Sequence, residues 1–312
     1  MPTYNTSISR DSSNDPLVPT PVSAQIIQEA AASSFVMSNA RRVTMSSKTD
    51  RLPVLSVLPQ AYWVTGDTGL KQTSTQDWNN VTLTAEEAAV IVPVPEAYVS
   101  DSQVPIWDEV RPRLAEAIAK LVDDACLFGT NAPASFGGNV YSHAIAAGNA
   151  IVANAGSTKL WQNVAKLGEY VHKDGFALNG FAGAPGFGWE LVGEADGEGR
   201  PIYDSAQSRL YGQPYNEVMT GGFDTTEAKL IGGDWSKAIV GMRQDISFKI
   251  FDQGVISDGS GNVVLNLMQQ DSVAIRCVVR LGFAIANPET AVNTTDSGRS
   301  PFAVLQATTA AS

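Results

Sequence analysis

Residues 102–128 read SQVPIWDEVRPRLAEAIAKLVDDACLF, and their spacing decides the fold. Ile106, Val110, Leu114, Ala117, Ile118, Leu121, Val122 and Ala125 recur every three or four positions, which sets them on one face of a helix. Asp101 and Ser102 stand where an N-cap accepts free backbone N–H groups, and Gly129 follows where a helix stop belongs. Pro112 lacks an N–H and crowds the carbonyl four residues back, so a kink or a restart is expected there. A long helix with one apolar stripe needs a sheet or another helix to cover it. The segment DSVAIRCVVRLGFAIANP supplies such cover. Val273, Ile275, Cys277 and Val279 alternate along one face of a strand that turns at Asn287 and Pro288.

Upstream of the helix, residues 1–21 are rich in Ser, Thr, Asn and Pro, a composition that does not repay the entropy of folding alone. From Ser23, a plausible cap, Ile26, Ile27, Ala30, Ala31 and Phe35 mark a short amphipathic helix. Arg41, Arg42, Lys48 and Arg51 make a weak basic cluster without interleaved aromatics, which reads as a solvated surface rather than a nucleic-acid contact. LPVLSVL at 52–58 reads as a strand, extended by Tyr62 to Thr65, and VTLT at 81–84 as its partner. The polar stretch GDTGLKQTSTQDWNN between them makes this a long hairpin with a polar tip. Such a hairpin has no face to bury by itself, and Trp63 and Trp78 are unfavourable residues to leave in water. A neighbouring subunit is the natural support. AAVIVPVP at 88–95, with Pro93 and Pro95 removing donors along one side, reads as an edge strand or extended connector.

Downstream, Leu160, Trp161, Val164, Leu167 and Val171 share a face of a second helix, with Ser157 or Thr158 as cap and Gly175 as terminator. Glycine-rich turns then alternate with runs such as AKLIGGDW and DISFKIF, the pattern of a mixed α/β region reaching to about Asp258. The C-terminal residues, dominated by Ala, Thr and Ser, are expected to be loosely held.

Composition narrows the function. With 312 residues and 44% hydrophobic content the chain can bury a real core, near the size at which one core divides into two. A formal charge of −11 argues against gripping nucleic acid through a basic groove. Cys126 and Cys277 both fall in apolar surroundings and read as small buried hydrophobes. The N-terminus has no basic start followed by an apolar run, so neither an export signal nor a membrane anchor is expected.

Catalytic constellations are sparse. His143 and His172 are the only histidines, and there is no G-x-S-x-G elbow or H-E-x-x-H pair. His172 lies in the last turn of its helix, where a cation suits the dipole. Gly186 and Gly188 suggest a phosphate loop, but Leu191 stands where its third glycine should be, so these are turns. Asp258, Ser260 and Asn262 fit a calcium loop only until Val263 and Gln269 replace its glycine and glutamate. The pairs Glu86 with Glu87 and Asp123 with Asp124 do not form acid/base dyads. No catalytic residue, metal or cofactor is expected.

The strings PVSAQIIQEAAASS, RVTMSSKTDRLPVLS, VTLTAEEAAVIVPVPEAYVSDS, RPRLAEAIAKLVDDACLFGT, LIGGDWSKAIVGMRQDI and QDSVAIRCVVRLGFAIANP, in this order, resemble the major capsid proteins of tailed bacteriophages. The resemblance implies an α+β chain with the Hong Kong 97-like capsid fold. It implies an N-terminal arm with a short helix at 1–50, a strand and extended loop at 51–85, and a peripheral domain with the long helix at 86–149. An axial domain at 150–258, a return to the peripheral domain at 259–290 and a C-terminal tail at 291–312 complete the expected organisation. In that family axial domains meet at the centres of pentamers and hexamers, and the extended loop lies over the adjacent subunit.

The implied partners are further copies of the chain, a portal, packaged double-stranded DNA held by weak nonspecific contacts, and a decoration protein as a further candidate. The implied place is the virion capsid, assembled in the host bacterial cytoplasm. Because the chain begins almost at the arm, a separate scaffolding protein is expected. Some members join subunits covalently through a loop lysine; Lys71 is the only lysine in this loop, and without an identifiable catalytic carboxylate noncovalent locking is expected. The candidate contact residues are Trp63, Lys71 and Trp78 in the loop and Arg41 and Arg42 in the arm. Two alternatives compete: the shell of a cellular nanocompartment resembling encapsulin, and an acidic two-domain hydrolase with His143 or His172 as its base.

Overall fold

The computed structural model describes residues 33–59, 61, 63–64, 71, 73–102, 105–153 and 159–307. The first part of the chain runs through α1 (Phe35–Asn39), β1 (Arg41–Thr44), β2 (Thr49–Val57), β3 (Asp77–Thr84) and β4 (Glu86–Pro95). The helices α2 (Glu96–Asp101), α3 (Ile106–Leu127) and α4 (Val140–Ala146) follow, then β5 (Ala150–Val152) and α5 (Leu160–Lys173). Next come β6 (Gly180–Gly183), α6 (Phe187–Val192), β7 (Tyr203–Asp204), β8 (Arg209–Leu210), β9 (Gln213–Glu217) and β10 (Ala228–Gly233). The chain closes with β11 (Ala238–Phe251), β12 (Val255–Ser257), β13 (Val263–Asn266), β14 (Ser272–Ile285) and β15 (Phe302–Gln306).

Four strands in the order β1-β11-β14-β4 form the sheet that α3 lies against, and seven in the order β5-β15-β10-β6-β9-β8-β7 form the second sheet. The strand β14 is central in the first sheet and antiparallel to both neighbours, Ile275 pairing with Ile250 and Val92. Its odd-numbered side chains, from Ile275 through Ile285, share a core with Leu114, Ile118, Val122 and Cys126 of α3. On the opposite face Ala284, and Ala286 one position past the strand's end, belong to a second, smaller core with Met45, Leu83, Ala85 and Ile239. Period-two side-chain alternation thus gives one strand two cores, one on each face. The strand β4 is the edge strand; Pro93 and Pro95 pair opposite Ala274 and Ser272, and their missing donors face the side that has no neighbour.

The long helix keeps its apolar stripe but not its expected start. It begins at Ile106 after Pro105, because Pro105 suits the first position of a helix boundary and α2 ends separately at Asp101. The helix continues through Pro112 without a break in its assignment. Leu114, Ile118, Val122 and Ala125 are buried, whereas Ala117 and Leu121 are exposed at the margin of the stripe. Gly129 terminates the helix with a positive φ of 78°, its N–H donating to Asp124 and Ala125 carbonyls.

Several boundaries move. Arg41–Thr44, within the span expected for the arm, forms a strand parallel to Ile239–Met242 of β11. Phe35 opens a helix rather than closing one, with Ser34 as its N-cap; Ser23, Ile26, Ile27, Ala30 and Ala31 lie outside the described residues. Ala61, Trp63 and Val64 do not extend β2, which ends at Val57. Lys159 precedes α5, and Ser157 and Thr158 lie outside the described residues. The stretch expected as one mixed α/β region to about residue 258 divides: β10 leaves the second sheet at Gly233, and β11 lies in the first sheet.

The largest correction is at the C-terminus. Phe302–Gln306 is an interior strand of the second sheet, antiparallel to β10 and parallel to β5, with Phe302, Ala303, Val304 and Leu305 fully buried. A run of four consecutive buried residues shows no alternation, and the Ala, Thr and Ser around it conceal it in composition.

Candidate functional site

The hairpin β2–β3 pairs from Thr49 with Thr84 out to Val57 with Asp77. Its root is fixed by packing: Leu83 and Ala85 are buried beside Met45, Ile239, Ala284 and Ala286. Gly282 permits that approach, since a Cβ there would stand 2.5 Å from the Thr84 carbonyl oxygen. Farther out, the Leu55 carbonyl accepts the Glu289 N–H at 3.0 Å and the Glu289 carboxylate accepts the Leu58 N–H at 3.2 Å. Beyond this fastening nothing in the described chain covers the hairpin. Trp63 is 99% exposed and Trp78 60%, while Lys71 is also in solvent.

Arg41 and Arg42 lie elsewhere, on the edge strand β1. Both are exposed, and the Arg42 guanidinium donates from Nε to the Met37 carbonyl at 2.6 Å. Trp78 therefore lies on β3 and Trp63 and Lys71 in the segment between β2 and β3, whereas the two arginines lie on β1. Lys71 has no catalytic carboxylate described beside it.

The residue that sequence reasoning passed over is Asp123. It is fully buried, and its carboxylate accepts four hydrogen bonds: Ser34 Oγ at 2.6 Å, Thr220 Oγ1 at 2.8 Å, and the N–H groups of Val36 and Phe35 at 3.0 and 3.1 Å. One carboxylate thus ties the first turn of α1 and the loop after β9 to the long helix. Burial pushes its pKa above the usual aspartate range, against the lowering effect of these four donors. The signal lay in helix geometry, since Asp123 follows Ala119 by four positions and precedes Cys126 by three, on the buried arc.

The histidines have structural partners. His143 Nδ1 lies 2.9 Å from Ser300 Oγ, but Ser300 is fully buried and its N–H donates to Asp174, so the pair presents no nucleophile to a substrate. His172 is exposed, with Nδ1 3.0 Å from the Gly168 carbonyl of its own helix. The Asp258 carboxylate accepts N–H groups of Ser260 and Asn262 within the turn between β12 and β13. No helix among the described residues is long and apolar enough to cross a membrane.

A subunit with a spine helix under a four-stranded sheet, a second sheet formed around α5, and an unsupported hairpin is built on the Hong Kong 97-like capsid fold. The profile of the phage capsid family matches residues 14–295, and the chain belongs to that family. Solved structures agree. A chain from Mycobacterium phage Cain superposes with a TM-score of 0.83 at 31% identity, covering 95% of this chain and 97% of that one. A chain from Microbacterium phage Oxtober96 gives 0.82 at 33% identity, covering 93% and 96%. Among curated proteins, the major capsid protein of Staphylococcus phage 80alpha is 27% identical over 266 residues, 84% of this chain and 79% of that one.

Proposed function

We infer that the chain is the major capsid protein of a tailed bacteriophage, and that it forms the virion shell by self-association through its hairpin. The observation that supports the hairpin's part is the exposure of Trp63 and Trp78 beyond a root buried in its own small core. Large indole surfaces on a two-stranded ribbon are stable in water only when something covers them. Copies arranged around symmetry axes supply that cover many times over, and many weak contacts then act together. The relatives from phages favour a virus shell over a nanocompartment.

Pentamers and hexamers are the assembly units of this reading, formed around the second sheet and its loops and locked without covalent bonds. A scaffolding protein, a portal and a decoration protein are its further partners, and the host bacterial cytoplasm its place of assembly. Packaged double-stranded DNA touches the inner wall weakly, in keeping with a net charge of −11.

Mass photometry and negative-stain microscopy over a concentration series test this reading. Pentamers, hexamers or shells are expected, with proteolysis at residues 66–80 suppressed on assembly and no ladder of oligomers after boiling in detergent. A monomer at every concentration, with the loop already protected, would refute it.

A further inference from the structure

The segment 287–299, between β14 and β15, is a strap closed on a buried guanidinium. Arg299 is 3% exposed, and its Nε donates to the Asn287 side-chain oxygen at 3.1 Å. One terminal nitrogen donates to the Asn293 carbonyl at 3.0 Å, the other to the Asn287 carbonyl at 3.1 Å and the Asp296 carboxylate at 3.2 Å. The Asn287 amide nitrogen returns a bond to the Arg299 carbonyl at 3.0 Å. A guanidinium taken out of water is tolerated only when its donors are met, and here the strap itself meets them. Both ends of the strap are drawn to one point, so it is held as a unit rather than as a loose loop.

Two adjacent residues of this strap grip different parts of the subunit. Glu289 grips the hairpin: its N–H donates to the Leu55 carbonyl at 3.0 Å and its carboxylate accepts the Leu58 N–H at 3.2 Å. Thr290 grips the end of α5: its Oγ1 donates to the Asp174 carbonyl at 2.8 Å, and a Cβ on Gly175 would stand 2.7 Å from that oxygen. Asn293 adds a bond from Nδ2 to the Asp174 carboxylate at 2.8 Å. The Ser300 N–H, just past Arg299, donates to the same carboxylate at 2.9 Å. Asp174 is the C-cap of α5, and α5 packs against β15, β10 and β5 of the second sheet.

Beyond its root, the hairpin is not set in place by close packing against the strap. A cavity of about 290 Å³ separates them, lined by Val54, Ser56, Asn79 and Val81 of the hairpin and by Ile285 and Thr294. The hairpin's angle is thus held at the strap by the two hydrogen bonds of Glu289. We propose that Glu289 and Thr290 are positioning residues that tie the angle of the hairpin to the seating of α5 on the second sheet. A shift at the end of α5 moves Thr290, and one peptide unit, about 3.8 Å between Cα atoms, carries it to Glu289 and the hairpin. The value of this link in a shell rests on the reading above. Copies in pentamers and in hexamers present their second sheets to differently placed neighbours, and the strap turns that difference into a direction for the hairpin.

The link is tested on the unassembled full chain, so a chain that never forms shells would overturn the shell reading and leave the link to be judged by itself. Thr290→Val removes the bond to Asp174 without touching the hairpin. Hydrogen exchange at the Leu58 N–H should then quicken about five- to tenfold, although the substituted side chain lies on the far side of Glu289. Spin labels on Asp77→Cys, on β3, and Lys166→Cys, on α5, are both on exposed positions, and the native cysteines are buried. The distance between them should be narrowly distributed in the parent chain and broadened by Thr290→Val and by Glu289→Ala, while Glu289→Gln, which keeps an acceptor for Leu58, should retain the narrow distribution. If Thr290→Val does not fold, Asn293→Ala, which removes the strap's bond to the Asp174 carboxylate, takes its place. Folded variants of the strap with parent-like exchange at Leu58 and a parent-like distance distribution would overturn the proposal.

Discussion

Replacing Asp123 by alanine should loosen three parts of the subunit at once. The substitution leaves four donors facing an empty acceptor site: Ser34 Oγ, Thr220 Oγ1 and the N–H groups of Phe35 and Val36. The hydroxyls can rotate toward other partners, but the two N–H groups are fixed by the first turn of α1. Each orphaned buried donor costs about 1–3 kcal/mol, and relief from burying a charge offsets part of the sum, so a net loss of about 2–4 kcal/mol is expected. Asp123→Asn keeps an oxygen for Ser34 and Val36 and sets an amide against the Phe35 N–H, so its loss should be smaller, about 1–2 kcal/mol. Urea unfolding of unassembled chains measures both, and hydrogen exchange at Phe35 and Val36 locates the damage. The pH dependence carries a sign. Because burial raises the folded pKa, this carboxyl's contribution is fully present below the ordinary aspartate value and is lost as pH rises through the raised value. The stability advantage of wild type over Asp123→Asn should therefore widen on acidification. An alanine variant within about 0.5 kcal/mol of wild type, or an asparagine variant worse than alanine, would refute the reasoning.

Phe302→Ala empties a fully buried site whose ring centroid lies 5.1 Å from that of Trp235, and should cost about 3–5 kcal/mol in urea unfolding. Gly282→Ala drives a Cβ to 2.5 Å from the Thr84 carbonyl oxygen, backbone that must shift; a loss of about 1–3 kcal/mol and faster proteolytic cleavage of the hairpin are expected. Burial lowers the His143 pKa, with Asp296 opposing and Arg299 adding to the effect, so the fold favours the neutral ring. Stability from this group is present above the ordinary histidine value of about 6.5 and is lost as pH falls through the lower folded value. Thermal midpoints between pH 7 and pH 5 should fall more steeply for wild type than for His143→Gln, and parallel curves would count against this account.

What the sequence made legible follows from how local each signal is. The spine helix, the edge strand with Pro93 and Pro95 and the long strand β14 each have a period or a breaker within their own residues, and each is found, the helix with a later start. The hairpin pairing was readable because its two strands flank one polar stretch. The strand β15 was not, since its neighbours β5 and β10 lie about 150 and about 70 residues away and Phe302 to Leu305 are buried on both faces without alternation. The buried place of Asp123 on α3 could be read from helix spacing, but its partners could not, because Ser34 and Thr220 approach it from 89 and 97 positions away. The separation of Arg41 and Arg42 from the loop residues has the same origin: their place is set by pairing with Ile239 and Val240.

The two cores on β14 explain how a subunit can hold an outreaching hairpin. Odd-numbered side chains face the spine helix and even-numbered ones face the hairpin root, so any slip of the strand by one residue would exchange the two faces and damage both cores. The hairpin's direction is therefore tied to the register that seats α3, and Glu289 fastens it again at Leu55 and Leu58. Past that point none of the described residues of the ribbon is in either core, and its tryptophans remain available to a neighbour. A rigid root with an uncommitted end suits assembly better than a hairpin buried throughout. The direction in which each copy reaches is set during folding, while the contact energy is released only when copies meet.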